Sequence, residues 1–339
     1  MRFSVRSRAL LLAVAFLGGG FLAAAGEPVP ARALAAFAAE FRRSIPGADS
    51  GGFVEPAPDE VGRFRECIEA LFAGEAERAA ACLEGLGYEL RRLEDPSSGK
   101  TYEVAIEKDP RPRGAGLYVL DPGAERNVVI GVPHPLYDVG TAEEGCAIFQ
   151  ALGARALFIA GAHRCAAAAP SPCRGRAEAC GGGPHRISDA AHATNAFFQA
   201  AHAAAYALEP RPLALSIHGH SSEAPDIVVS DGTDRPGPPE APANRLRAAL
   251  LRRGVSAGSC NFEGDRGLRL CGTTNVQGRL WNGSRDPCGL APPGASELFL
   301  HIEQSRAVRK DPRALIEALI EVLPARKGPS PPAGGERRP

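Results

Sequence analysis

The sequence predicts an α/β protein: a mainly parallel, mixed sheet with helices on both faces, preceded by a small N-terminal α+β satellite. Three observations carry that prediction. Continuous apolar runs at 117–120, 128–132, 156–160 and 213–218 read as strands buried on both faces. Segments with apolar residues at 3.6-residue spacing stand between them. At 339 residues, 44% of them hydrophobic, the chain can bury a large core that depends on neither metals nor disulfides.

Taken in order, residues 1–25 combine Arg2, Arg6 and Arg8 with an apolar stretch to Leu22 and then Ala23, Ala24 and Ala25. That pattern reads as a secretory signal peptide, and nothing after it is apolar enough to span a membrane once it is cleaved. The satellite covers 27–110. Helical spacing runs over 31–43, with Leu34, Phe37, Ala38 and Phe41 on one stripe, and over 59–86. Two short strands, 88–93 and 101–106, are joined by the turn residues Pro96 to Gly99. From 111 to 323 strands and helices alternate. The helix 141–152 is expected to be capped by Thr141 with Glu144 in the capping-box position. A long helix 188–208, a strand-like run at 227–229, a helix 243–253, a strand 298–303 and a helix 311–323 follow. The tail 324–339, rich in Pro, Gly and Arg, is expected to be disordered.

Composition narrows the function. With 39 Lys+Arg against 39 Asp+Glu the net charge is zero, which argues against nucleic acid as a partner. Export places the protein outside the cell or in the periplasm, so the 9 Cys read first as disulfide staples. Cys67 and Cys82 bracket a helical hairpin, Cys260 and Cys271 a short loop, and Cys165, Cys173 and Cys180 crowd another; an odd total leaves at least one thiol unpaired.

In open α/β sheets ligands bind at the carboxyl ends of the strands. Three strands end there in polar residues: His134 with Asp138, His163 with Arg164, and His218 with His220 and Ser221. A His and a carboxylate on one loop with a second His from a distant strand is the ligand pattern of a catalytic zinc site, water taking the fourth place. On the late strand, Phe299, His301 and Glu303 share one face and Leu298, Leu300 and Ile302 the other. Glu303 is therefore either a site residue or an ion-pair partner of Arg306 or Arg309. Arg164 and Arg279 are candidates for binding a substrate carboxylate. His192, Asn195, Gln199 and His202 form a polar stripe along the predicted 188–208 helix, either lining the cleft or solvated.

Four motifs carry a resemblance. The run His134-Pro-Leu-Tyr-Asp138-Val-Gly-Thr resembles the first metal loop of the zinc carboxypeptidase-like hydrolases, in the branch with poly-γ-glutamate hydrolases and N-formylglutamate amidohydrolases. Leu-Ser-Ile-His218-Gly-His-Ser is similar to the strand that supplies the second metal His. Phe-Leu-His-Ile-Glu303-Gln-Ser is similar to the strand that carries the catalytic Glu, and Asn275-Val-Gln-Gly-Arg279-Leu-Trp-Asn to a loop of the formylglutamate branch. The resemblance spans about 116–322. It implies one Zn²⁺ held by His134, Asp138 and His218, with Glu143 or Glu144 as alternatives to Asp138, because Tyr137 stands where the family's HxxE has its Glu. It further implies Glu303 as general base and Asn275 and Arg279 as substrate-binding residues, to which the strand-end position adds His163 and Arg164, in an exported hydrolase of an amide or peptide bond. The substrate would be a small molecule or peptide bearing a carboxylate.

Two other readings stand beside it. Gly254-Val-Ser256-Ala-Gly258 matches the serine-hydrolase G-x-S-x-G, with Asp265 or Asp286 and His301 following in order, but it lacks the strand–turn–helix context that motif needs. A secreted, disulfide-stapled binding protein on the same fold needs no base at position 303.

Overall fold

The computed structural model describes residues 28–29, 33–108, 113–323 and 325; the predicted signal segment 1–25 and, residue 325 apart, the tail 324–339 lie outside them. Twelve strands occur among the described residues: β1 (Pro28–Val29), β2 (Tyr88–Asp95), β3 (Lys100–Glu107), β4 (Leu117–Leu120), β5 (Val128–Val132), β6 (Ala156–Ile159), β7 (Arg176–Ala177), β8 (Gly183–Pro184), β9 (Leu213–Gly219), β10 (Ile227–Ser230), β11 (Ala257–Ser259) and β12 (Phe299–Gln304). Nine α-helices join them: α1 (Leu34–Ser44), α2 (Pro58–Phe72), α3 (Ala76–Glu84), α4 (Thr141–Leu152), α5 (Phe197–Tyr206), α6 (Pro242–Arg252), α7 (Val276–Trp281), α8 (Arg306–Lys310) and α9 (Arg313–Val322). Ten strands form one sheet in the order β1-β2-β3-β4-β6-β5-β9-β12-β10-β11, and β7 and β8 form a separate small ribbon.

The centre of the sheet, β6-β5-β9-β12, is parallel; β2, β3 and β4 extend it antiparallel on one side, and β10 pairs antiparallel with β12 on the other. It is the α/β, mixed sheet expected. The N-terminal helices and hairpin are continuous with it, because β3 pairs with β4 and β4 with β6.

Both faces are buried, and alternation along each strand assigns the residues. Val128, Ile130 and Val132 of β5, Leu215 and Ile217 of β9, and Leu300 and Ile302 of β12 pack in one core with α1, α4, α6 and α9. Val129, Phe158, Ala214 and Phe299 pack in the other, with α2, α3, α5 and α7. All nine cysteines are accounted for: Cys67–Cys82, Cys165–Cys180, Cys173–Cys288 and Cys260–Cys271 are disulfides, and Cys146 is a buried free thiol. No helix of the described residues is long and apolar enough to cross a membrane.

Two expectations are corrected, and one exclusion holds. The helix expected over 188–208 begins only at Phe197, because Asp189 and His192 turn inward to side-chain partners and Asn195 donates to the Pro56 carbonyl. Thr141 and Glu144 form no capping box. Gly140 holds the cap position at φ 98°, a conformation that favours glycine, while the Thr141 hydroxyl donates to the Asp138 carbonyl and Glu144 accepts from Gln304. Ser256 is exposed and precedes the edge strand β11 instead of following a strand, so no nucleophile elbow forms there.

Candidate metal centre

The site assembles where β5, β9 and β12 end. Two residues beyond β5 the chain makes one helical turn, in which the Asp138 amide donates to the His134 carbonyl at 2.9 Å. Side chains four apart on such a turn lie side by side, and His134 Nδ1 stands 3.2 Å from Asp138 Oδ2. Parallel register between β9 and β12 sets His218 beside Glu303 and Ser216 beside His301. His218 Nδ1 lies 3.6 Å from Asp138 Oδ2. The ligand atoms of His134, Asp138 and His218 all fall within 4.8 Å of one another. Their residues are only 2%, 4% and 4% exposed.

Each imidazole is held from behind. His134 Nε2 meets Asp189 Oδ1 at 2.8 Å, and His218 Nε2 meets Ser216 Oγ at 2.9 Å. Such contacts orient a ring and its free lone pair toward a metal. Asp189 is itself pinned by Arg164, whose Nε and Nη2 donate to Oδ2 at 3.0 and 2.5 Å, and by His192 Nδ1 at 3.2 Å. Glu143 and Glu144 are engaged elsewhere, Glu143 with Arg42 on the outer face of α4 and Glu144 with Gln304.

The electrostatics favour a cation at this point. Burial works against ionisation of Asp138, but His134 and then His218 beside it hold the carboxyl well below its usual range. Burial and Arg164 push His134 down, yet the carboxylates of Asp189 and Asp138 on its two sides hold it above its ordinary value. His218 is pushed down to about 4, chiefly by burial, which leaves its ring neutral as a metal ligand must be. Two imidazoles and a carboxylate with no thiolate suit Zn²⁺, so the residues present fit the ion.

Glu303 has a 12% exposed side chain that lines the cleft, with Oε1 3.8 Å from His301 Nε2. Burial, then the charge of Asp138, raises its carboxyl to about 8. Arg309 spends its guanidinium on the Val139 and Gln304 carbonyls, and among the described residues no ion pair joins it or Arg306 to Glu303. The cleft, about 680 Å³, runs from Asp138, Arg164, His218 and Glu303 out to Leu268, Arg269 and Leu270.

Of the other residues singled out from the sequence, Arg164 lines this cleft, whereas His163, Asn275 and Arg279 do not. His163 Nδ1 accepts from the Cys165 amide at 3.0 Å, and its ring packs edge-on against the exposed Tyr137, which also covers the Arg164 guanidinium. Asn275 caps α7 through Oδ1 and reaches His218 Nε2 with Nδ2 at 3.4 Å, behind the ring. Arg279 donates to the carbonyls of Thr273, Pro287 and Cys288 and clamps that loop. Asp189, His185 and Ser216 carried no expectation as site residues, and His301 carried one only in the serine-hydrolase reading. The alternation of β9 placed Ser216 on the face of His218, a signal that could have found it; nothing local marked Asp189 or His185.

No protein-family model matches the chain, and no curated protein matches it either. Among solved structures it is similar to a bacteriophage poly-γ-glutamate hydrolase, at 14% identity and TM-score 0.35 over 62% of this chain and 88% of that one. It is also similar to YNDL in a zinc-free form, at 15% identity and TM-score 0.34 over 63% and 91% of the two chains.

Proposed function

We propose that this chain is an exported zinc-dependent hydrolase of an amide or peptide bond, with His134, Asp138 and His218 as ligands and Glu303 as general base. The observation that carries the reading is the convergence of two imidazoles and a carboxylate, each held from behind or by its neighbours, on one wall of a cleft that also bears a largely buried Glu whose nearest charged-type partner is His301. A zinc ion in that place supplies Lewis acidity, activating water near neutral pH and polarising the carbonyl under attack. Glu303 takes the proton from the attacking water and delivers it to the leaving nitrogen. His301 is buried alongside, with its ring 4.4 Å from that of His218.

A substrate carboxylate is the other expectation. Arg164 is spent on Asp189 and Arg279 on carbonyls, whereas Arg269 stands exposed on the outer wall of the cleft. The anionic end of a substrate is therefore assigned to Arg269, with its scissile amide at the His218–Glu303 end. Four disulfides accord with an oxidising compartment.

The test is amine release from a library of N-acyl amino acids and short peptides by the purified mature protein. Turnover that a chelator abolishes and zinc restores is the expected result. Zinc binding without turnover of any member would favour the binding-protein reading, and turnover indifferent to chelator would overturn the metal.

A further inference from the structure

Behind the metal centre lies a second group of polar side chains, His185, Asp189 and His192, on the segment between β8 and α5. The rings of His185 and His192 are parallel within 4° at 3.5 Å between centroids. Ring-nitrogen lone pairs lie in the ring plane, so two rings stacked this way cannot aim them at one ion. The pair is therefore no second metal site. His185 is 4% exposed and neither of its ring nitrogens has a hydrogen-bond partner. What it offers His192 is a flat face that fixes the plane of the ring.

The hydrogen bonds of His192 then have one consistent direction. Asp189 Oδ2 receives two N–H groups from Arg164, so Asp189 is a carboxylate and only accepts. Its Oδ1 faces His192 Nδ1 at 3.2 Å and His134 Nε2 at 2.8 Å, and both nitrogens must carry hydrogen. The far nitrogen of His192, Nε2, lies 3.2 Å from Thr274 Oγ1, whose hydroxyl donates to it when the ring is neutral. Proton positions are thus set along the line Thr274, His192, Asp189, His134. The line ends at His134 Nδ1, the nitrogen turned toward Asp138.

We propose that His192, buttressed by His185, is a positioning residue for the metal centre: its Nδ1–H holds the Asp189 carboxylate, which holds His134 Nε2–H and leaves His134 Nδ1 to ligate. This rests on His134 being a metal ligand, as read above. Partners of this kind are worth on the order of 10–100-fold in metal affinity.

The experiment pairs two variants with a spectrum. His192→Phe keeps a ring to stack on His185 but removes both hydrogen bonds; His192→Asn can return an N–H near the place of Nδ1. Zinc affinity, measured by chelator competition with circular dichroism as the fold control, should fall by roughly 10–100-fold in His192→Phe and largely recover in His192→Asn. Unchanged affinity in His192→Phe, or equal loss in both variants, would overturn the proposal, since a merely structural ring would not be rescued by an amide. The metal-free protein labelled with ¹⁵N-histidine gives an independent readout: His192 Nδ1 should be protonated, and Thr274→Val should perturb Nε2 alone. A bare Nδ1 overturns the proposal even if neither His192 variant folds. Failure of the wild-type protein to take up zinc would instead sink the proposed function, and the spectrum would still decide the arrangement around Asp189.

Discussion

Two regions meet at the candidate centre, and they are organised by different physics. The parallel strands β9 and β12 deliver His218 and Glu303 by register, one hydrogen-bonded ladder placing them side by side, and β5 leads into the turn that bears His134 two residues beyond its end. The segment from 160 to 196 delivers Arg164, His185, Asp189 and His192 with almost no regular structure, its only strands being the two-residue β7 and β8. What holds it is covalent and local: Cys165–Cys180, Cys173–Cys288, and the hydrogen bonds that radiate from Asp189. The difference teaches that backbone pairing sets the positions of His218 and Glu303, whereas cross-links set the groups packed behind the centre.

The largest effect is expected on the strand side. Glu303→Gln keeps the shape of the side chain but cannot accept the proton, so it should retain zinc while kcat falls on the order of 10²–10⁴-fold. Full activity in that variant would move the base elsewhere.

The loop side should answer differently to loss of its staples. Replacing Cys173 and Cys288 by Ser should cost about 2–5 kcal/mol of stability and also weaken zinc binding, because the loop bearing Asp189 is released. Replacing Cys67 and Cys82, which join α2 to α3 away from the centre, should cost a comparable amount and leave zinc affinity unchanged. Thermal melts and zinc titrations on both pairs check this; an equal change in zinc affinity would erase the distinction between the regions.

The smallest effect concerns the scaffold under the strands. Glu144 of α4 is buried and accepts from Gln304, and burial holds its carboxyl at about 8 against an ordinary 4.5. The folded protein therefore keeps a proton that the unfolded chain gives up, and stability should fall as pH rises from 4.5 to 8. Glu144→Gln should flatten that slope, stabilising the protein by roughly 1–3 kcal/mol at pH 8 and changing little at pH 4. Equal pH dependence of wild type and variant in denaturant melts would show that Glu144 ionises freely in the fold.

The same difference explains what could be read from the chain beforehand. The apolar runs of β4, β5, β6 and β9 lie in a sheet covered on both faces, so composition alone marks them as strands, and period two places His301 and Glu303 opposite Leu300 and Ile302. The pairing of β2 and β3 into the main sheet was not legible, because a hairpin's sequence does not say what its edge will meet. Nor was the break before Phe197. Ser188 to Ala196 has helical spacing, and only the distant partners His134 and Thr274 explain why Asp189 and His192 leave it. Arg164 and Arg279 show the limit of chemistry read without geometry. Both residues carry the right group for a carboxylate, and the fold spends one on Asp189 and the other on three carbonyls.

The central claim is that His134, Asp138 and His218 hold one zinc ion, and metal content measures it most directly. The purified protein, stripped with chelator, reloaded with zinc and dialysed, should carry one zinc per chain by atomic emission. His218→Ala prepared in the same way should carry almost none while its circular dichroism is unchanged. A His218→Ala protein that still holds a full equivalent of zinc, or a wild-type protein that holds none, would contradict the account.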